Sequence, residues 1–380
     1  MLKGRNLLLS AGLVFSVLCG CYYLWIQSDR SYADFEMTSE RSVFVKAGTY
    51  TKGNIVGIQP YMVPADYRSA DALYAKLNRY LSIAKKNGCF TSATVVVFPE
   101  YIGTWLAAIG EKASVYTVEK TEDALSTAAY SHPISFLTNY FVSDARDRAV
   151  AALFSLKAVE MAEAYQQVFS RLAAEYKATV VAGSIVLPSP SVEAGVLRVG
   201  RGPLINVSAT FDATGKLMAP LTVKNFLTSE ETAFIVAGNS SQLPVVGTSA
   251  GKVATLICAD SWYDDAYRVI ADKEVDFVVV PSFLAGENVW NQPWKGYNGG
   301  QPPANVSPDD IGTLTEGQAW QKYGMLGRAP EFGIQTGLNI FLRGQLWNLG
   351  TNGNPLVLSE GQPEMIEIPA DGAAIVNLQF

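Results

Sequence analysis

Two rhythms alternate along the chain: short unbroken apolar runs, and longer stretches in which apolar residues return with a helical period. Asn54-Ile55-Val56-Gly57-Ile58-Gln59-Pro60 is a run of the first kind, closed by proline, and predicts a buried strand. Leu73, Leu77, Tyr80, Leu81 and Ala84 then fall at i, i+4, i+7, i+8 and i+11, one face of an amphipathic helix that Gly88 closes. Thr94-Val95-Val96-Val97-Phe98-Pro99 is a β-branched strand ending at Glu100. The alternation returns as a helix over 148–177, with Tyr165, Phe169, Leu172 and Ala173 on one face, and a strand over 179–186. Further strands are predicted at 204–211, 252–258, 276–281, 338–342, 355–358 and 373–378. The repetition predicts an α/β layered domain around a largely buried sheet. Because strands continue to residue 378, residues 53–380 are read as one domain. Two stretches break the rhythm: 101–147, aromatic-rich without a clean period, and 284–316, rich in Gly, Pro, Asn and Trp. Both are read as insertions, serving either as functional loops and lids or as neutral decoration.

Ahead of the domain, the polar, turn-rich residues 28–52 are read as a linker and residues 1–27 as a signal segment. Leu7 to Ile26 is an almost unbroken apolar run, of the ~20 residues a helix needs to span ~30 Å of hydrocarbon. Lys3 and Arg5 precede it and Gln27-Ser28-Asp29-Arg30 follow, a charge pattern that keeps the N-terminus in the cytoplasm and sends the rest across. Three readings are open. The run is an uncleaved signal anchor, or a lipoprotein signal in which Leu18-Cys19-Gly20-Cys21 looks like a lipobox with Cys21 lipidated, or a plain cleaved signal. Each places the domain outside the cytoplasm, on or near a membrane.

Composition narrows the chemistry. With 49% hydrophobic and 17% charged residues the chain has material for a large core and little for a disordered tail. A net charge of -6 argues against nucleic acid as a partner. Of four cysteines, Cys19 and Cys21 lie in the signal segment, so the domain holds no disulfide framework. The single histidine, His132, sits in the first insertion and argues against a His-based metal site or a Cys–His pair; no metal or cofactor is expected. Three residues stand at predicted strand ends or in loops beside them: Glu100, Lys224 within Leu221-Thr222-Val223-Lys224-Asn225-Phe226-Leu227, and Cys258 after Val253 to Ile257. Each alone reads blandly, as a solvated glutamate, a surface lysine and a packed cysteine. A cysteine where a strand gives way to a helix has a second reading, since a helix N-terminus favours the thiolate.

The surrounding motifs change the balance. Phe98-Pro99-Glu100, Lys224-Asn225-Phe226-Leu227 and Ile257-Cys258-Ala259-Asp260 occur in that order, with Gln59 ending the first strand and Ala182-Gly183-Ser184 ending a central one. Phe211-Asp212-Ala213-Thr214-Gly215, Val278-Val279-Val280-Pro281-Ser282 and Arg328-Ala329-Pro330-Glu331-Phe332-Gly333 accompany them. On these motifs residues 54–380 resemble the nitrilase, or carbon-nitrogen hydrolase, superfamily. The resemblance implies a four-layer αββα sandwich, frequent homodimers, and Glu100, Lys224 and Cys258 as the catalytic residues. Chemistry agrees with that grouping. A cysteine attacks an amide or nitrile carbon as its thiolate and needs a base, the role of Glu100. The oxyanion formed needs positive charge and fixed donors, the role of the Lys224 ammonium and the Ala259 backbone N–H. The family holds its lysine with a second glutamate, here Glu230 or Glu231, with Glu231 favoured; Asp260 is a further supporting residue.

The stretch between Glu100 and Lys224 is longer than family members usually show, and so is the segment after Ser282, which places the substrate beyond the reach of the motifs. The expected activity is hydrolysis of a non-peptide amide or nitrile through a Cys258 acyl-enzyme. The alternatives are acyl transfer to an amine at the membrane surface and a catalytically silent binding or assembly module. A small molecule or a lipid-linked amide or acyl donor fits as substrate; the tether and the apolar Phe136, Leu137, Tyr140 and Phe141 of the first insertion favour the lipid-linked kind. Asn206-Val207-Ser208 and two similar triplets fit the N-glycosylation acceptor pattern, at a frequency near chance.

Overall fold

The computed structural model of the chain describes residues 2–29 and 41–380, with side chains at 12–29 and 41–380. Along the chain run α1 (Leu2–Gln27), β1 (Arg41–Gly48), β2 (Asn54–Gln59), α2 (Ala70–Lys86), β3 (Thr94–Val97), α3 (Thr121–Ser131), α4 (Pro133–Val142), α5 (Arg148–Tyr176), β4 (Thr179–Val181) and β5 (Thr210–Phe211). The second half contributes β6 (Val245–Thr248), β7 (Gly251–Thr255), α6 (Asp264–Ala271), β8 (Phe277–Ser282), α7 (Glu316–Tyr323), β9 (Gly337–Phe341), β10 (Leu356–Ser359), β11 (Gln362–Met365) and β12 (Gly372–Gln379). They form two 6-stranded sheets, ordered β1-β12-β2-β3-β4-β5 and β6-β7-β8-β9-β10-β11.

Strand alternation makes four layers. Ile55, Val95, Val97 and Val376 of the first sheet meet Val253, Phe277, Val279 and Leu338 of the second in one core. The intervening residues Val56, Ile58, Val96 and Ile375 face α2 and α5. Ala254, Val278 and Val280 face α6 and α7 on the far side. Each strand is therefore apolar on both faces, which is why the runs read as continuous rather than alternating. Each fully buried Val, Leu or Ile contributes ~1.5–3 kcal/mol, so this double core is the main source of stability. The sheets meet closely at Gly57, where a Cβ would lie 2.5 Å from Leu338 Cδ2. The expected αββα sandwich is the fold observed.

Several boundaries differ from the sequence reading. Residues 28–52 are not all linker: Arg41–Gly48 is β1, paired in parallel with β12 over its whole length. Residues 30–40 lie outside the described residues. The first insertion is largely helical, holding α3 and α4, and Glu111 anchors it to α5 through Lys157 at 3.2 Å and to His132 at 3.1 Å. The strand predicted over 179–186 is two, broken at Gly183, and 204–211 is likewise two strands in different sheets. Among the described residues no helix is long and apolar enough to cross a membrane. The apolar run predicted at Leu7 to Ile26 falls partly on residues 2–11, whose side chains are not described.

Candidate active site

Glu100, Lys224 and Cys258 arrive from three separate places. Glu100 follows β3 through Phe98-Pro99. The turn there is fixed by Ser184, whose Oγ accepts the Tyr101 N–H at 2.9 Å and whose carbonyl accepts the Gly103 N–H at 3.0 Å. Gly183 is required beside it: φ is +65° and a Cβ would stand 2.0 Å from the Pro99 carbonyl oxygen. Lys224 follows the short strand Thr222–Val223. Its N–H donates to Asn206 O at 2.9 Å, and its own carbonyl accepts the Gly238 N–H at 2.8 Å. Cys258 opens a short 3-10 helix, Cys258–Trp262, three residues beyond the end of β7. Its φ of +52° is uncommon for a residue with a side chain, a local strain of the kind that clusters at functional sites.

These side chains are buried and share one cluster. Lys224 Nζ lies 2.8 Å from Glu100 Oε1 and 2.7 Å from Glu231 Oε2. Asn206 Nδ2 donates to Glu100 Oε1 at 2.9 Å and to Glu231 Oε1 at 3.4 Å. Tyr101 donates its hydroxyl to Glu231, and the Thr228 N–H donates to Glu231 Oε2 at 2.9 Å. Of the two glutamates considered for holding the lysine, the structure brings Glu231 to it; Glu230 points elsewhere and accepts from Asn298 at 2.8 Å. The Cys258 thiol and the Glu100 carboxylate are close enough to shift each other's titration, and the thiol donates to the Phe283 carbonyl at 3.8 Å. Asp260 ties the lysine loop to the cysteine turn. One of its oxygens accepts from the Asn225 and Phe226 N–H groups at 2.9 and 2.8 Å, the other from Ile257 at 3.3 Å. Burial pushes the Asp260 carboxyl up to about 7 against the pull of these donors and of Lys224. The Ala259 N–H is second in the turn, where a helical start leaves N–H groups without a partner inside the turn.

Burial and mutual charge set the protonation states. Burial disfavours the Lys224 ammonium, but Glu100 and Glu231 outweigh it and hold the lysine charged well above its usual range. Burial raises Glu231 too, but Lys224 and the Tyr101 and Thr228 donors bring it below the ordinary carboxylate range. For Glu100 burial wins over Lys224, and the nearby Glu231 charge adds to it, so this carboxyl is raised. Burial and the Glu100 charge push the Cys258 thiol well up, against Lys224. The cysteine opens a short 3-10 turn rather than an α-helix, and its buried surroundings favour the thiol over the thiolate.

These signs yield a prediction. Glu231→Gln removes a charge that raises Glu100, so the acid limb of kcat/KM should move to lower pH. With the lysine less firmly held, kcat should fall roughly tenfold, the equivalent of ~1.4 kcal/mol. A pH–rate profile whose acid limb stays or moves upward would contradict the arrangement.

Sequence reasoning missed Asn206 and Tyr101. Asn206 carried a signal for a different role, since it begins an N-x-S triplet; it is fully buried on Glu100, which excludes glycosylation there. Tyr101 was only one aromatic among many. Aromatic rings gather near the cysteine, with Tyr101, Trp105 and Tyr297 coming from the insertions: Tyr101 lies 5.2 Å from Phe283, which in turn is 6.1 Å from Trp105, and Tyr263 is stacked on Phe226 at 3.6 Å and meets Tyr297 at 5.7 Å. Two buried donors beside the cluster, Trp105 Nε1 and Asn225 Nδ2, have no partner among the described residues.

Comparison with known proteins gives the same grouping. The model of the carbon-nitrogen hydrolase family matches residues 55–302. No curated sequence matches the chain significantly. Among solved structures, a double mutant of the amidase from Nesterenkonia sp. AN1 in complex with acrylamide is similar with a TM-score of 0.52 at 16% identity, over 86% of this chain and 90% of that one. An amidase from Nesterenkonia sp. gives 0.52 at 17% identity, over 87% and 92%. A mutant of the AN1 amidase in complex with butyramide gives 0.52 at 17%, over 86% and 91%. At such identities the likeness speaks for the fold; the family match covers well over half the chain. The chain belongs to the carbon-nitrogen hydrolase family.

Proposed function

We propose that the chain is a membrane-tethered thiol hydrolase that cleaves a non-peptide carbon–nitrogen bond, an amide or a nitrile, on the outer side of the cytoplasmic membrane. The observation that carries this reading is one buried lysine held between Glu100 and Glu231 with a cysteine thiol beside Glu100. Two carboxylates and one ammonium leave the cluster with a single net negative charge. A thiolate formed by losing its proton to bulk water would make that charge double in a buried site. Passing the proton to Glu100 keeps the charge constant, so deprotonation belongs to the attack itself.

With an amide, as Cys258 Sγ bonds to the carbonyl carbon, its proton moves to Glu100, and the Lys224 ammonium and Ala259 N–H receive the developing oxyanion; a nitrile would first give a thioimidate and take up one further water before its nitrogen leaves. The carbon–nitrogen bond then breaks, and Glu100 returns the proton to the leaving amine. Water attacks the thioester, gives its proton to Glu100, and the sulfur departs and is reprotonated. Trp105 Nε1 and Asn225 Nδ2 are donors for polar groups of the substrate. An acceptor amine in place of the final water would make the same site an acyltransferase; the tether and the apolar α4 favour keeping that second reading.

Treatment with a thiol-directed electrophile tests the proposal. Cys258 should be alkylated in preference to the equally buried Cys89, because Glu100 beside it can take the thiol's proton as the bond to the electrophile forms. A panel of amides, nitriles and acyl donors, with and without amine acceptors, should then trap an acyl adduct on Cys258. Equal labelling of the two cysteines with no trapped adduct would leave a silent binding module as the reading.

A further inference from the structure

The helix α4 has no buried residue. Ile134 is 81%, Leu137 50%, Phe141 74% and Val142 73% exposed, and Tyr130, at the end of α3, is 65% exposed. Positions 134, 137 and 141 share one helical face, so these side chains form a stripe. An apolar stripe of this density turned to water marks a surface that something covers.

The N-terminal segment indicates what covers it. Tyr22, Tyr23 and Trp25 close the apolar run, in the position of an aromatic belt at the headgroup level of a bilayer. That end of α1 is fastened to the first insertion. Lys112 Nζ sits 4.7 Å over the Trp25 ring and donates to Ser28 O at 2.6 Å, and Asp29 accepts from Ala113 and Ser114. Tyr22 donates its hydroxyl to the carbonyl of Tyr130, the residue that opens the α3–α4 corner. The belt and the foot of α4 therefore stand at one level. Beyond the C-terminal end of α4 a groove is lined by Tyr140, Arg146, Asp147, Arg148, Ser229 and Ala233. Its two arginines are exposed; Arg146 donates to Thr232 at 2.7 Å, and Asp147 is engaged in capping α5 through Val150 N–H at 3.1 Å.

We propose that α4 lies in the headgroup–acyl boundary of the bilayer, with its stripe in lipid and Arg146 and Arg148 on the phosphates of anionic headgroups. This inference rests on the tethered reading of the N-terminal run and goes beyond it, because it fixes how the domain sits on the membrane. Ser229 and Ala233 of the groove belong to the loop that carries Glu231, so a lipid substrate would enter beside the support of the candidate lysine.

The test uses the full-length chain with p-benzoylphenylalanine in place of Phe141 or, as a second reporter, Ile134. The chain is reconstituted into vesicles of phosphatidylcholine with or without phosphatidylglycerol, recovered by flotation, illuminated and weighed by mass spectrometry. Both sites are exposed, so neither replacement disturbs packing. Lipid adducts should exceed by roughly tenfold those from the same residue at Val196, an exposed position on the separate hairpin 191–198. They should rise with phosphatidylglycerol, and Arg148→Glu should abolish that rise. A floating chain with no excess over position 196, or with adducts between two copies of the chain, overturns the docking surface alone. A rise that survives Arg148→Glu overturns the headgroup site. A chain that does not float overturns the tether and the surface together.

Discussion

Replacing Cys258 with alanine is expected to lower turnover of any substrate found in the panel by at least ~10⁴-fold, because the covalent route disappears and only oriented water remains. The thermal midpoint should change little. Cys258 Sγ is a small buried atom whose donated hydrogen bond, to Phe283 O at 3.8 Å, is long, and Asp260 still clamps the turn through backbone groups. Steady-state rates on the folded variant, with a mass scan for the lost acyl adduct, decide the matter. Retained activity would remove Cys258 from the mechanism.

Lys224→Met should damage both stability and rate. The ammonium is the cation between two buried carboxylates, and removing one partner of a buried ion pair costs ~3–5 kcal/mol. The loss of oxyanion charge should lower kcat by a further ~10²–10³-fold. The pH dependence has a definite sign. In the native chain Glu231 is held low, so its contribution to stability is present above its unfolded pKa and fades as pH falls through the folded one. Without the lysine, burial and mutual repulsion raise the carboxylates instead. Their contribution is then greatest below the unfolded value and is lost as pH rises. The variant should gain thermal stability on acidification from about pH 8 to about pH 5, where a simple loss of packing would give no such gain. Melting curves at several pH values distinguish the two.

The layers were legible in the sequence because strands buried on both faces leave unbroken apolar runs, and the helices covering them leave one apolar stripe. Strand ends were less so. The break at Gly183 shows locally only as the Ala182-Gly183-Ser184 motif; its cause is the Pro99 carbonyl, distant in sequence, which leaves no room for a side chain. β1 was hidden because Arg41-Ser42-Val43-Phe44-Val45-Lys46 mixes charge with apolar residues, as an edge strand does. The helix α4 escaped notice because it is apolar on two sides, Ile134, Leu137 and Phe141 on one and Phe136 and Tyr140 on the other, so no single stripe stood out against a polar face. At the site, Glu100, Lys224 and Cys258 stood in recognisable motifs. Asn206 and Tyr101 did not, because their contribution is a hydrogen bond across the fold to a carboxylate.

The place of β12 bears on when this chain can fold. The last strand lies second in its sheet, between β1 and β2, and among the strands of that sheet it is the only partner of β1. Until Gly372–Gln379 has been synthesised, β1 has no strand of this sheet to pair with and β2 has one open edge. Such long-range pairing is slow and leaves unpaired strands exposed in the meantime. A fragment lacking β12 would thus leave β1 unpaired and one side of β2 bare, so the first sheet closes as a whole rather than strand by strand.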